Sequence, residues 1–373
     1  MRILIAALGA MSLAACAGTP VPQARPLNTD QIAAMGSTRV VVVENDYGVG
    51  KTWFMQNSSA AGAPYGLVGA LVSAGLDAMM NYGPSKRASQ AADEIAVVMP
   101  VDTLNASLTG SLLALVPVDD SGAGVTFSEV TSVQRLAPAT PEDDAIEVAA
   151  TYWLSEDATT LMITITASYS SEEIPYVTPY TFEDSPPKAE LSGPTYRNTF
   201  VYYSAHLPVP ELTPELQQEL IASIENSARD ESGALPAEGT DEYRAMTREL
   251  EEARDNKLTR AEISIFLTRE WLKDDGRLIR AEVDNAHALA SRYLLLDLNQ
   301  TAVPTFEGEG QELVETLPDG RTVSRISGGL MAGSYVSAPA EFSPHVAFGN
   351  AINHARVHLE RMKTLRDAAR SAR

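Results

Sequence analysis

Hydrophobic and polar positions alternate first at the period of strands, then at that of helices, and the order in which they do so predicts the architecture. Arg39–Glu44 and Lys51–Gln56 are short β-branched or aromatic runs separated by Asn45-Asp46-Tyr47-Gly48-Val49-Gly50, which predicts a β-hairpin. A stretch of small and apolar residues, 60–80, follows. A more polar segment then leads to Met99, and a helical pattern runs through Leu104, Leu108, Leu112 and Leu115. From Val125 the period shortens to two. Residues 125–136, 145–154, 160–169 and 195–206 are rich in Val, Ile, Thr and Tyr, as strands are. The second and third of these, joined around Ser155–Thr159, form the clearest hairpin, and prolines 175, 179, 186, 187 and 194 assign residues 171–194 to loop or sheet edge.

Helices resume at Thr213-Pro214-Glu215, which combines an N-cap residue, proline at the first helical position and an early acid. Residues 240–257 form a strongly charged helix, and residues 277–298 place Ile279, Val283, Ala286, Ala290 and Tyr293 on one face. Residues 258–272 fit either period: Ile263, Ile265 and Leu267 match a strand, whereas Ile263, Leu267 and Trp271 match a helix. Residues 301–345 read as loops and short strands with a turn at Asp319-Gly320, and 351–370 repeats apolar residues at Ile352, Ala355, Leu359, Met362 and Ala369. The pattern therefore predicts an α+β fold of antiparallel strands with a helical layer, residues 37–210. A mainly helical region, 211–373, follows, with short strands near 301–345.

The first fifteen residues have the pattern of an export signal: Arg2 is the positive end, Ile3–Met11 are a short apolar core, and small residues follow. This run is shorter than the roughly twenty apolar residues that span a bilayer. It ends in Leu13-Ala14-Ala15-Cys16, and here the sequence resembles the lipobox of Gram-negative bacterial lipoproteins, over its first sixteen residues. The resemblance implies cleavage before Cys16, a diacylglyceryl thioether on its sulfur and an acyl chain on the new amino terminus. This covalent lipid is the one prosthetic group expected. Two or three chains, at about 0.8 kcal/mol per buried methylene, make such anchoring permanent. In these lipoproteins an aspartate after the cysteine retains the protein at the inner membrane. Ala17 stands there instead, which implies the periplasmic side of the outer membrane, with the periplasmic face of the inner membrane as the alternative. Residues 16–36, with Pro20, Pro22 and Pro26, read as a lipidated tether.

Composition narrows the partners. The 373 residues hold 28 Lys+Arg against 49 Asp+Glu, a net charge of −21, which argues against a general nucleic-acid binder. The single cysteine allows neither an internal disulfide nor a thiolate metal cluster. Loss of Arg2 with the signal leaves 27 basic against 49 acidic residues, net −22. The charge is uneven. Residues 211–255 hold thirteen acidic and four basic residues, net −9. Residues 352–373 set Arg356, Arg361, Lys363, Arg366, Arg370 and Arg373 against Glu360 and Asp367, net +4. Such a basic amphipathic helix fits an anionic partner: lipopolysaccharide core, phospholipid headgroups or the acidic helices of its own chain. Gly62, Gly66, Ala70, Ala74 and Ala78 recur every four residues and leave one helical ridge bare, resembling the glycine-zipper segments of envelope lipoproteins. That ridge fits either another chain, an envelope protein or a second copy, or the hairpin of its own domain. Pro64 and Asp77 leave about twelve residues between them, short of a membrane span.

Several apparent motifs lack the parts their chemistry needs. Gly48-Val49-Gly50-Lys51-Thr52 has Asn45 where a phosphate-binding loop needs glycine, and no helix pattern begins at the lysine. Ser185-Pro186-Pro187-Lys188 has the spacing of penicillin-recognising enzymes, but its prolines oppose the helical turn that would align serine and lysine. His354 and His358 are spaced to share a metal, yet Ala355 stands where a zinc protease carries glutamate. His287 borders an apolar helix face and reads as a packed residue. Asp297-x-Asn299-x-Thr301 opens like a calcium loop but continues with Ala302 at its sixth position and Gly308 at its twelfth. No catalytic residue and no metal ligand emerge. The expectation is a non-enzymatic envelope lipoprotein with a structural, assembly or recognition role. The alternative is a cell-wall-directed ligand-binding or hydrolytic domain using unassigned carboxylates of residues 211–255.

Overall fold

A computed structural model describes residues 24–51, 53, 83–117, 124–134, 144–176, 193–255, 259–301, 310–328 and 331–340. Among them the fold is α+β. The helices are α1 (Thr29–Met35), α2 (Gly83–Val98), α3 (Val101–Leu113), α4 (Pro214–Ala228), α5 (Asp241–Arg254) and α6 (Arg260–Leu298). The strands are β1 (Ser37–Val43), β2 (Val49–Lys51), β3 (Thr126–Val133), β4 (Ala145–Leu154), β5 (Leu161–Ser170), β6 (Tyr196–Tyr203), β7 (Gln311–Thr316), β8 (Thr322–Ile326) and β9 (Tyr335–Ala338). They form one mixed sheet in the order β3-β1-β4-β5-β6-β9-β8-β7, with β2 also beside β4. Two antiparallel runs, β4-β5-β6 and β7-β8-β9, are joined by the parallel pair β6/β9.

Of the first predicted hairpin, residues 52 and 54–56 lie outside the described residues, and the described part, β1 and β2, does not reverse. Both β1 and β2 run parallel to β4, β1 along Ala145–Ala149 and β2 along Tyr152–Leu154, so the chain continues in the same direction after its interruption. Asn45 is the cause. Its Oδ1 accepts the backbone N–H groups of Tyr47 and Gly48 at 2.9 and 2.7 Å, its Nδ2 donates to the Ala150 carbonyl, and its backbone exchanges two hydrogen bonds with the side-chain amide of Asn105 on α3. An Asx turn pinned at three points offsets the strand without reversing it.

The alternation in β4 to β6 places one row on the inner face. Ile146, Val148, Ala150, Tyr152 and Leu154 pair in register with Tyr169, Ala167, Ile165, Ile163 and Leu161, and β6 adds Tyr196, Phe200 and Tyr202. Against this face lie Leu104, Leu108 and Leu112 of α3 and the second half of α6, through Ile279, Val283, Ala286, Ala290 and Tyr293, the stripe read from the sequence. At about 25 cal/mol per Å² of apolar surface removed from water, this layer is the principal source of stability.

α6 settles the ambiguous 258–272 segment as helix, started by a capping box in which Thr259 and Glu262 exchange hydrogen bonds. It breaks at Lys273–Gly276, where Asp274, Asp275 and Gly276 take left-handed φ of 53°, 57° and 69°. Arg277 pairs with Asp274, and Arg280 binds the Asp275 carbonyl, which hold the turn. The half of α6 before the break packs on the β4–β5 turn, where Ser264 donates to the Glu156 carbonyl and Trp271 to that of Ala158, and reaches α4 and α2 through Arg269. β9 closes onto β6, so the region after residue 211 completes the sheet begun before it. The tether read to residue 36 also gives way to packed chain earlier: Leu27 and Met35 are buried, Arg25 bridges to Arg197, and Asn28 caps α1.

Candidate functional site

Cys16, the ridge Gly62, Gly66, Ala70, Ala74 and Ala78, the basic row Arg356, Arg361, Lys363, Arg366 and Arg370, Ser185 with Lys188, and His354 with His358 all lie outside the described residues. Lys51 lies within them. Its Nζ donates to the carbonyls of Ser155 and Glu156 at 2.8 and 3.2 Å and sits 4.7 Å from the centre of the Trp53 ring. Burial draws this ammonium down to about 7, against the pull of Asp157 and Glu156. Its donors hold the β4–β5 turn rather than an anion.

The buried polar groups of α6 meet tyrosines of the sheet. Glu282 accepts from Tyr202 at 2.5 Å, and Asp297 accepts from Tyr196 at 2.9 Å, Asn198 at 2.7 Å and Tyr335 at 3.1 Å. The apparent calcium ligands are thereby engaged inside the protein, since Asn299 exchanges two hydrogen bonds with the backbone of Val125. His287 stands between Tyr152, 2.8 Å from Nε2, and Ser107, 2.9 Å from Nδ1, while Ser107 lies 2.5 Å from Asp284. A carboxylate cannot donate, so the single Ser107 proton goes to Asp284. Nδ1 therefore carries the imidazole hydrogen and donates to Ser107, and Nε2 accepts from Tyr152. Ser107 is thus no nucleophile primed by a histidine base, which would have to accept its proton. Burial holds His287 neutral, drawing its pKa down to about 3. These contacts fix how α6 sits on the sheet.

The other half of α6 builds a different environment. Nearby, α4 and α5 share a small apolar cluster of Ile224, Met246, Leu250 and Ala253. Beside it lies a buried ion pair: Arg87, 1% exposed, donates through Nη1 to Glu249 at 2.7 Å, and Ser227 is 3.5 Å away. Burial pushes the Glu249 carboxyl up, opposed by the Arg87 charge. Arg87 Nη2 and Glu249 Oε1 have no hydrogen-bond partner among the described residues. Gly83 sits against the carboxylate so closely that a Cβ there would come within 2.0 Å of Oε1. A cleft of about 200 Å³ opens between α4 and α6, where Leu216, Leu220, Ile265 and Phe266 lie among the cations Arg87, Arg269 and Lys273 and the carboxylates Glu219, Glu262 and Glu270. Arg269 joins three helices at this cleft, donating to Ser223 of α4 at 3.0 Å and lying 3.7 Å from Glu94 of α2.

This cleft was invisible in the sequence. Arg87 is one cation in a polar segment, and Glu249 is one of thirteen acids in its run. Among the described residues no three His, Cys, Asp or Glu side chains converge as metal ligands would. The chain matches no protein-family model, no curated protein and no solved structure.

Proposed function

We propose that the chain is a lipid-anchored envelope protein, held through Cys16 at the periplasmic side of the outer membrane, whose folded body works by binding rather than by catalysis. The observation that carries the anchoring is Leu13-Ala14-Ala15-Cys16 at the end of the Arg2–Met11 signal pattern. Ala17, rather than aspartate, supports the outer membrane. Of the roles weighed from the sequence, recognition is favoured by the cleft between α4 and α6, which sets the apolar Leu216, Leu220, Ile265 and Phe266 among charged side chains of both signs, as ligand sites do. Metabolic labelling with radioactive palmitate tests the anchor. Wild-type protein takes up label and fractionates with outer membranes, and Cys16→Ala does neither. Label retained by Cys16→Ala overturns the assignment.

A further inference from the structure

We propose that Arg25 and Arg197, beside Tyr176, form a binding site for a phosphate group. The site lies apart from the cleft between α4 and α6, so it goes beyond the reading drawn from that cleft. The isolated bridge between the two arginines pairs them directly: the Arg25 N–H donates to the Arg197 carbonyl at 2.7 Å, and the Arg197 N–H to that of Arg25 at 3.3 Å. Residues opposite each other in antiparallel pairing share a face, and like charges placed so are unfavourable. A chain with 49 acidic against 28 basic residues thus sets two cations face to face. Burial draws both guanidinium groups below their ordinary 12.5, and the Arg25 charge draws Arg197 down further, with only the Tyr176 phenol opposing among the described residues.

Arg25 is fixed by its surroundings. It is 8% exposed, its Nη1 donates to the Pro194 carbonyl at 2.8 Å, and its Cζ lies 4.5 Å from the centre of the Tyr176 ring. Nε and Nη2 of Arg25 have no acceptor among the described residues, and neither is sealed from solvent as Arg87 Nη2 is. Gly193 leaves the terminal nitrogens uncovered, since a Cβ there would come within 2.8 Å of Nη1 and 3.1 Å of Nη2. A positioned guanidinium with two donors to spare suits an oxyanion. Arg197 makes contacts of its own and adds charge. A carboxylate brings two oxygens and one negative charge, whereas a phosphate ester brings more oxygens and up to two charges, enough to answer both cations. The phosphate could belong to a lipid headgroup or to a soluble ester. Arg25 follows Cys16 by nine residues, which span at most about 30 Å, so a headgroup is within reach where Cys16 carries lipid.

Calorimetric titration of the full chain in a maltoside detergent, at constant ionic strength, tests this with inorganic phosphate, glycerol 3-phosphate, dihexanoyl phosphatidylglycerol below its micellar concentration, and acetate. Phosphate compounds are expected to bind saturably and about tenfold or more tighter than acetate, as one further charge-assisted hydrogen bond predicts. Binding of inorganic phosphate and glycerol 3-phosphate alone identifies a soluble ligand, and phosphatidylglycerol binding as well or better identifies a headgroup. Both support the proposal. Arg25→Lys, which keeps the charge and loses the planar fork, is expected to weaken phosphate binding about tenfold. Arg197→Gln, at a half-buried position, is expected to weaken it as well. No saturable heat with any phosphate compound, acetate binding as tightly as phosphate, or unchanged affinity in either variant overturns the proposal. If circular dichroism shows Arg25→Lys unfolded, the ligand series with Arg197→Gln decides it. Detergent stands in for the membrane, so these results are indifferent to the lipid on Cys16, and palmitate labelling is indifferent to them.

Discussion

Asp297 ties the last turn of α6 to two strands at once, and its replacement measures how far that joint holds the fold. The residue is 2% exposed, and its carboxylate takes hydrogen bonds from Tyr196, Asn198 and Tyr335. Asp297→Ala leaves two buried donors unpaired, the Tyr196 hydroxyl and one Asn198 N–H, while Tyr335 keeps Gln300 as acceptor. At about 1–3 kcal/mol for each, and with donors sharing one acceptor less than additive, the expected loss is about 2–4 kcal/mol. That is a large share of the roughly 5–15 kcal/mol by which a domain is stable. Asp297→Asn keeps the shape. Its amide oxygen can serve Tyr196 and Asn198, and its NH₂ can face Tyr335, whose own proton then turns to Gln300, 3.3 Å away. Its cost is expected to be under about 1.5 kcal/mol at neutral pH. Burial pushes the Asp297 carboxyl above its ordinary 3.8, and its hydrogen bonds oppose this only in part. A carboxyl raised in the folded state contributes stability that is full below 3.8 and is lost as pH rises through the folded value. Asparagine has no such loss, so Asp297→Asn gains on wild type as pH climbs from 3.8. Urea denaturation followed by circular dichroism at acidic and neutral pH reads all of this. Asp297→Ala costing under about 1 kcal/mol with an unchanged denaturant slope, or Asp297→Asn costing as much as Asp297→Ala, would refute the reasoning.

His287 gives the opposite pH sign. Its folded pKa of about 3 lies below the ordinary 6.5, so its contribution is full above 6.5 and falls as pH drops, by about 2 kcal/mol between pH 7 and 5. His287→Gln should flatten that slope in denaturation midpoints, and identical slopes would count against a buried neutral imidazole. Gly276, at φ 69°, would place a Cβ 2.3 Å from Val98 Cγ1. Gly276→Ala is expected to cost about 2–4 kcal/mol, overpacking and left-handed backbone together, and Val98→Ala in the same chain should recover part of it; strict additivity in thermal melts would mean the two residues do not touch. Arg87→Met strands a buried Glu249 at an expected cost of about 3–5 kcal/mol, whereas Arg87→Met with Glu249→Met should return most of it. A double variant no better than the single would show that the pair is not coupled.

Local signals survived folding where they were complete in themselves. The β4–β5 hairpin, the Thr213 cap, the leucines of α3 and the apolar face of residues 277–298 were all legible, because alternation and capping act over a few residues. The β1–β2 turn was not legible. Whether a turn reverses or merely offsets the chain was decided by Asn45 bonding to Ala150 and Asn105, 105 and 60 residues away respectively. The boundary near residue 210 marked a real change of period, yet β7–β9 return to the same sheet, and a change of period carries no information about which strands will pair. His287 was read as packed and is. The cleft was not legible, since Arg87 and Glu249 are 162 residues apart and neither stands in a spacing that distinguishes it from solvated charge.

The central claim is that a lipid on Cys16 places this binding body at a membrane, and mass spectrometry of the amino-terminal peptide of membrane-purified protein tests it most directly. The account predicts a peptide beginning at Cys16 that carries a diacylglyceryl group and an acyl chain. A peptide that retains residues 1–15, or one with an unmodified Cys16, would contradict it.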